Sequence, residues 1–152
     1  MKSESVKLDC LAFEELDIYI LYQIMRLRQE IFVVEQDCPY LDADGVDLKS
    51  HHVTLHLDNK LVGYTRIVPP EISYKGHSSI GRVVTHPNYR IHGLGTKLMI
   101  YSIAKTKELY PALSIKISSQ VYITKFYAQL GFEPTGDEYL EDDIPHIAMI
   151  YA

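Results

Sequence analysis

The chain has 152 residues, 47% of them hydrophobic and 23% charged, a composition that fits one soluble globular domain over residues 1–152 and excludes a disordered tail or a fibrous repeat. Fifteen Lys and Arg against twenty Asp and Glu leave a net charge of −5, so no general basic field exists to hold a nucleic-acid backbone or an anionic bilayer. Cys10 and Cys38 lie in no cluster with metal-ligand spacing and read as free thiols of a reducing cytoplasm, while no apolar leader and no run near the roughly 20 residues of a spanning helix points to a membrane or secretory route.

Lys7 to Phe13 can form an extended strand. Asp17 then stands as N-cap to a helix whose apolar positions Ile18, Leu21, Tyr22, Met25 and Phe32 share one face, and Cys38-Pro39-Tyr40 follows its end. The acidic loop Asp42 to Asp47 comes next. Val53 to Leu57 and Leu61 to Val68 alternate with period two about the turn Asp58-Asn59-Lys60, which makes an antiparallel hairpin stopped by Pro69-Pro70. Ser79 to Thr85 adds a third strand. A helix runs from about Gly93 to Leu109, Ser114 to Ser118 is a strand, and Val121 to Leu130 is a helix closed by Gly131 at C′. Two β segments near 135–140 and 144–151 finish the chain. The order βα-βββ-α-β-α-ββ predicts an α/β fold of mixed α+β character. It should have a mixed central sheet of about seven strands, helices on both faces, and the strands from Ser79 and Ser114 as parallel neighbours.

Ser79 to Thr96 is the most informative stretch. Its turn places Gly93 and Gly95 between a strand and the first turn of a helix, where unpaired backbone N–H groups and the positive end of the helix dipole converge. Such a turn binds phosphate or pyrophosphate, with Arg90 adding a charged contact, or it simply permits a tight strand-to-helix connection. No Gly-Lys-Ser/Thr follows and the three-glycine dinucleotide fingerprint is absent, so those two nucleotide-binding classes are set aside. His52 and His56, four residues apart on a strand, stand roughly 13 Å from each other and do not share a metal ion.

Arg90-x-x-Gly93-x-Gly95 after Thr85-His86-Pro87, followed by Phe126-Tyr127-Ala128-Gln129-Leu130-Gly131-Phe132, resembles the two motifs of the GCN5-related N-acetyltransferase (GNAT) superfamily. Leu27 to Gln36, Gly81 to Val84 and Tyr139 to Ile147 resemble its ElaA-like branch, and the likeness spans nearly the whole chain. The resemblance implies a fold in which two motif strands splay apart and acetyl-CoA lies in the gap as cosubstrate, with no metal. It implies that Val83 N–H meets the acetyl carbonyl, that Val84 and Thr85 pair with the pantetheine amides, and that the loop Arg90, Ile91, His92, Gly93, Leu94, Gly95 and Thr96 holds the diphosphate. Ile91 stands where the family often has another glycine.

The resemblance also implies transfer of an acetyl group to a primary amine of a small molecule or peptide, by direct attack in a ternary complex; charge, cysteine usage and the lack of an apolar segment point to a cytoplasmic protein with no nucleic-acid or membrane partner. An amine of pKa about 10.4 is only about one part in a thousand neutral at pH 7.4, so a base must take its proton. His146 and Glu35 are the candidates for that base or for acceptor contacts, and Tyr127 has the position of the acid that protonates the departing thiolate. Phe126, Leu130 and Phe132 read as core anchors. Arg28, Glu30 and Arg82 fit a buried ion-pair network equally well. The acidic loop suits a cationic acceptor or is merely solvated. The second reading of the chain is a CoA-binding sensor module without turnover; the acceptor, the acyl range and the oligomeric state, a homodimer included, stay open.

Overall fold

The computed structural model describes residues 5–152, with the backbone alone at residues 91 and 92. Met1 to Glu4, the start of the segment read above as lacking a leader, lie outside the described residues. The strands are β1 (Val6–Ala12), β2 (His51–Leu57), β3 (Lys60–Val68), β4 (Ser79–Thr85), β5 (Ile115–Gln120), β6 (Glu133–Glu141) and β7 (Ile144–Tyr151). The α-helices are α1 (Ile18–Arg28), α2 (Leu94–Leu109) and α3 (Thr124–Gln129). The expected element order is therefore the observed one.

The sheet is divided. β1-β2-β3-β4 form one antiparallel sheet and β5-β7-β6 another. The expected parallel pairing of β4 with β5 is confined to a single bridge, Ser78 with Ile115, where Lys116 N–H donates to Ser78 C=O at 2.9 Å. Beyond it β4 pairs only with β3 and β5 only with β7.

Both faces of the first sheet are covered, and β3 is buried continuously from Leu61 to Val68. Ile24, Leu27 and Ile31 pack with Leu61, Tyr64 and Val84 on the α1 side. The larger core gathers Leu94, Leu98, Met99 and Ile103 of α2 with Val53, Ile80 and Ile115. Asp17 caps α1 by accepting from Tyr19 N–H at 2.8 Å. The expected apolar face of α1 is displaced, however. Ile18 and Tyr22 are exposed and Ile24, Leu27 and Ile31 are buried, because a helix that is apolar nearly all round does not fix its own phase.

Nor does one α-helix run on toward Cys38. Over Gln29–Glu35 the hydrogen bonds lengthen to the π pattern, with Gln36 N–H to Ile31 C=O and Cys38 N–H to Val33 C=O. The β-branched run Ile31, Val33, Val34 crowds a tighter turn. At the other end of the chain Gly131, at φ +107°, closes α3 while Phe132 N–H returns to Tyr127 C=O.

Candidate active site

Where β4 and β5 part, a cavity of about 750 Å³ opens, lined on one side by Ser79 to Val83 and on the other by Ile117 to Gln120. Gly81 faces open space, where a Cβ would meet nothing within 4 Å. Register explains the shape of the β4 wall. Arg66 pairs with Gly81 and Tyr64 with Val84, so Arg82 and Val83 together oppose Thr65 in a β-bulge. Arg82 takes the left-handed conformation, φ +49°, which costs a non-glycine residue about 1 kcal/mol.

The strain at Arg82 is held by the acidic loop. Arg82 Nε donates to Asp42 Oδ1 at 2.7 Å, and Asp42 Oδ2 accepts from Arg28 Nε at 2.8 Å. Asp47 takes Arg28 Nη1 at 2.7 Å and Arg66 Nη1 at 2.9 Å, and Asp44 takes Arg66 at 2.8 Å. Arg28 is fully buried. The three aspartates of the loop are therefore spent on three arginines and are not free to attract a cationic acceptor, while Ala43 to Gly45 between them are exposed. Arg28 and Arg82 do form the buried network anticipated for them, whereas Glu30 pairs with Arg26 at 3.0 Å on the surface. Burial opposes ionisation of Asp47, but the hydrogen bond and charge of Arg28, then those of Arg66, hold its carboxyl below the usual range.

His52 belongs to the same cluster. Its Nε2–H donates to Asp47 C=O at 2.9 Å, so its Nδ1 accepts from the Tyr64 hydroxyl at 2.6 Å. Burial lowers its pKa, so it stays neutral. Among the described residues no group of His, Cys, Asp or Glu is arranged to hold a metal ion, and Cys10 and Cys38 are both free.

Tyr127 and His146 line the same cavity as Val83. Tyr127 lies on α3 with its ring edge-on to Phe126 and Phe132, at 5.1 and 5.8 Å. It is 8% exposed and burial pushes its phenol up to about 12. Among the described residues its hydroxyl has no hydrogen-bonding partner, which leaves it available to a ligand. His146 is 6% exposed on β7. A carbonyl can only accept, so the 2.7 Å contact with Ile144 C=O fixes the proton on Nδ1 and leaves Nε2 toward Glu141 Oε2 at 3.2 Å.

The glycine turn lies outside this cavity. Pro87–His92 forms a 3₁₀ turn that includes the backbone of Ile91 and His92; the side chains of those two lie outside the described residues. The left-handed backbone falls on Gly93, φ +69°, rather than on Ile91. Gly93 opens the 16-residue α2 without a side-chain cap, so the N–H groups of its first turn remain for an anion. Gly95 lies beside Thr85 and leaves the approach open, Leu94 is core, and Thr96 is exposed. Arg90 reaches back to Thr85 C=O at 3.3 Å and to Glu35 Oε1 at 2.9 Å. Glu35 is thus paired with Arg90 of the glycine turn and does not itself line the cavity, although Gln36 beside it does. Val84 is buried against α1, and only Val83 of the trio Val83 to Thr85 faces the cavity.

These features fit the parts of a CoA thioester: an uncapped helix start with glycines for a diphosphate, a gap between two strands for pantetheine, and a bulged strand beside an unpartnered phenol for the acyl end. Several cavity residues escaped the reading of the sequence. Tyr74, Ser118 and Ser119 carry no local signal. Asp37 was given no role, and Glu141 and Asp142 fell inside the Tyr139 to Ile147 stretch that resembles the ElaA-like branch without a role of their own.

A family model described as an acetyltransferase (GNAT) domain matches residues 35–152. A UPF0039 protein of Synechocystis is 41% identical over 140 residues, covering 91% of this chain and 90% of its own. The crystal structure of Escherichia coli ElaA superposes with a TM-score of 0.91 at 32% identity, over 97% of this chain and all of that one. An acyl-CoA N-acyltransferase structure from Pseudomonas aeruginosa gives a TM-score of 0.91 at 37% identity, over 97% and 100%.

Proposed function

Since the chain belongs to the GNAT acetyltransferases, in the ElaA-like branch, and so to enzymes that transfer acyl groups from CoA, we propose that it is an acetyl-CoA-dependent N-acetyltransferase acting on a primary amine. The observation that carries this reading is the meeting of the Arg82–Val83 bulge, the unpartnered Tyr127 hydroxyl and His146 in one cavity. Acetyl-CoA supplies a thioester whose carbonyl carbon accepts the amine nitrogen. The bulge frees backbone at Val83, and its N–H polarises the acyl oxygen as a one-donor oxyanion site. Arg90 and the N–H groups from Gly93 to Thr96 hold the diphosphate, and Val84 and Thr85 align the pantetheine.

His146 takes the proton of the acceptor ammonium on Nε2, because Nδ1 is committed to Ile144. The N–C bond forms as the C–S bond breaks. Tyr127 gives its proton to the leaving sulfur, and the second proton shed by the acylated nitrogen returns to the phenolate through solvent in the cavity. With a phenol at about 12 the proton is present throughout the neutral range. Glu35 supports the reaction by holding Arg90 at the diphosphate loop.

The test separates the two halves of the site. His146→Ala should lower kcat or raise KM for the amine and leave the affinity for CoA within about twofold. Equal loss of CoA binding would make His146 a structural or cofactor residue.

A further inference from the structure

Gly81 has no folding reason to be a glycine. Its backbone is not left-handed, unlike that of Arg82 beside it, and a Cβ would meet nothing within 4 Å. A glycine inside a strand weakens the strand, and one that faces free space marks a close approach by another group.

Strand alternation sets where that space lies. Ile80 packs in the core with α2, so Gly81 turns to the opposite face, together with its cross-strand partner Arg66 and with Ser79 two residues before it. This is the face of α1, where Tyr64, two residues from Arg66 along β3, packs with Leu27. The diphosphate turn opens α2 on the other face, so the cosubstrate approaches from there and the face of α1 is left to the acceptor. Phe32, Cys38 and Tyr40, which follow α1, line the cavity together with Ser79, Gly81 and Arg66.

Two buried donors on this face lack a partner, independently of the glycine. Ser79 is 6% exposed, lines the cavity, and its hydroxyl makes no hydrogen bond among the described residues. Arg66 is 5% exposed; Asp44 and Asp47 take its Nη1 and Nη2, but its Nε–H is buried without a partner. Donors in such a setting call for an oxygen that accepts. The charges nearby already cancel, with Arg28, Arg66 and Arg82 set against Asp42, Asp44 and Asp47, so that oxygen belongs to an uncharged group.

We infer that Gly81 determines specificity at the acceptor site: the recess left by its missing side chain receives an uncharged, oxygen-bearing group of a small amine, such as an amide carbonyl, which accepts from Ser79. The inference rests on the transferase reading above. Val83, at the acyl oxygen in that reading, is two residues further on, about 6 to 7 Å along a strand, which puts the carbonyl about four bonds from the reacting nitrogen.

The experiment compares kcat/KM for 4-aminobutanamide, its hydrocarbon isostere 4-methylpentylamine, the carboxylate 4-aminobutanoate, and ethylamine, which is too short to reach the recess. The proteins are the wild type, Gly81→Val, Gly81→Ala and Ser79→Ala. Valine suits a strand, so Gly81→Val should melt no lower than the wild type, and the thermal shift with acetyl-CoA checks the fold of each variant. By filling the recess, Gly81→Val should cost the longer amines about tenfold more than it costs ethylamine, with Gly81→Ala in between. The wild type should prefer the amide to the hydrocarbon by about tenfold, and Ser79→Ala should cut this to about threefold or less.

An equal loss for ethylamine and the longer amines in both Gly81 variants, or no loss at all, would overturn the recess. Equal use of amide and hydrocarbon by the wild type, a preference that survives Ser79→Ala, or a higher kcat/KM for the carboxylate than for the amide would overturn the uncharged oxygen. Each of these results leaves the transferase reading standing. Binding of acetyl-CoA with no amine acetylated would overturn both.

Discussion

Arg82 Nε donates to Asp42 Oδ1 over 2.7 Å, and through this contact a loop carboxylate holds an arginine in left-handed backbone at the bulge of β4. Asp42 simultaneously accepts from Arg28. Asp42→Ala should therefore leave two guanidinium groups short of a partner, one of them fully buried. Breaking such a pair typically costs about 3 kcal/mol or more, which denaturant unfolding would register as a clear drop in the midpoint. A loss within about 0.5 kcal/mol of zero would show that the clamp contributes nothing.

The same cluster sets the response to acid. The folded-state carboxyls of Asp44 and Asp47 lie below their ordinary values: burial works against ionisation, but Arg66 for Asp44 and Arg28 for Asp47 outweigh it. A depressed carboxyl stabilises fully above its unfolded pKa of about 3.9 and loses that contribution as pH falls through the lower folded value. The urea midpoint should fall steeply below about pH 4, and less steeply in Asp47→Asn. An identical acid profile in that variant would remove Asp47 from the account.

Tyr127→Phe keeps the ring between Phe126 and Phe132 and deletes a hydroxyl that has no protein partner among the described residues, so stability should change little. Turnover should fall by about 10²-fold or more where thiolate departure limits the rate. Because the phenol lies near 12, the wild type should show no alkaline limb from this group below about pH 10. Wild-type kcat in the phenylalanine variant would end the assignment of Tyr127 as acid.

Gly93→Val tests the diphosphate turn. A Cβ at Gly93 meets nothing within 4 Å, so the obstacle is the backbone at φ +69° and the bulk presented to a ligand. CoA should raise the melting temperature of the wild type and of Gly93→Asn, whose side chain tolerates this conformation, but not of Gly93→Val. A full shift in the valine variant would place the diphosphate elsewhere.

What the sequence revealed was what short chain segments decide. Asp17 and Gly131 announced helix ends because caps act within a turn, and the Phe126 to Phe132 context marked Tyr127. The divided sheet was legible only through the family resemblance, which implied splayed strands; element order alone predicted the parallel pairing that a single bridge at Ser78 replaces. The face of α1 was misread because Ile18, Tyr22, Ile24 and Leu27 offer two apolar stripes, and the tertiary core chose between them. Contacts such as Asp42 with Arg82, forty residues apart, leave no periodic trace. The Glu141–His146 pair depends on an Asp142-Asp143 turn with positive φ at both residues, where aspartates are far less diagnostic than Asn-Gly.

The central claim is acetyl transfer to an amine at the cavity shared by Val83, Tyr127 and His146. Its most direct test follows thiol release from acetyl-CoA across a panel of primary amines while mass spectrometry counts N-acetylated product. The account predicts amine-dependent release with one N-acetyl product per thiol, lost by about 10²-fold in Tyr127→Phe. Release that is independent of every amine, or N-acetyl product that forms undiminished in the phenylalanine variant, would contradict it.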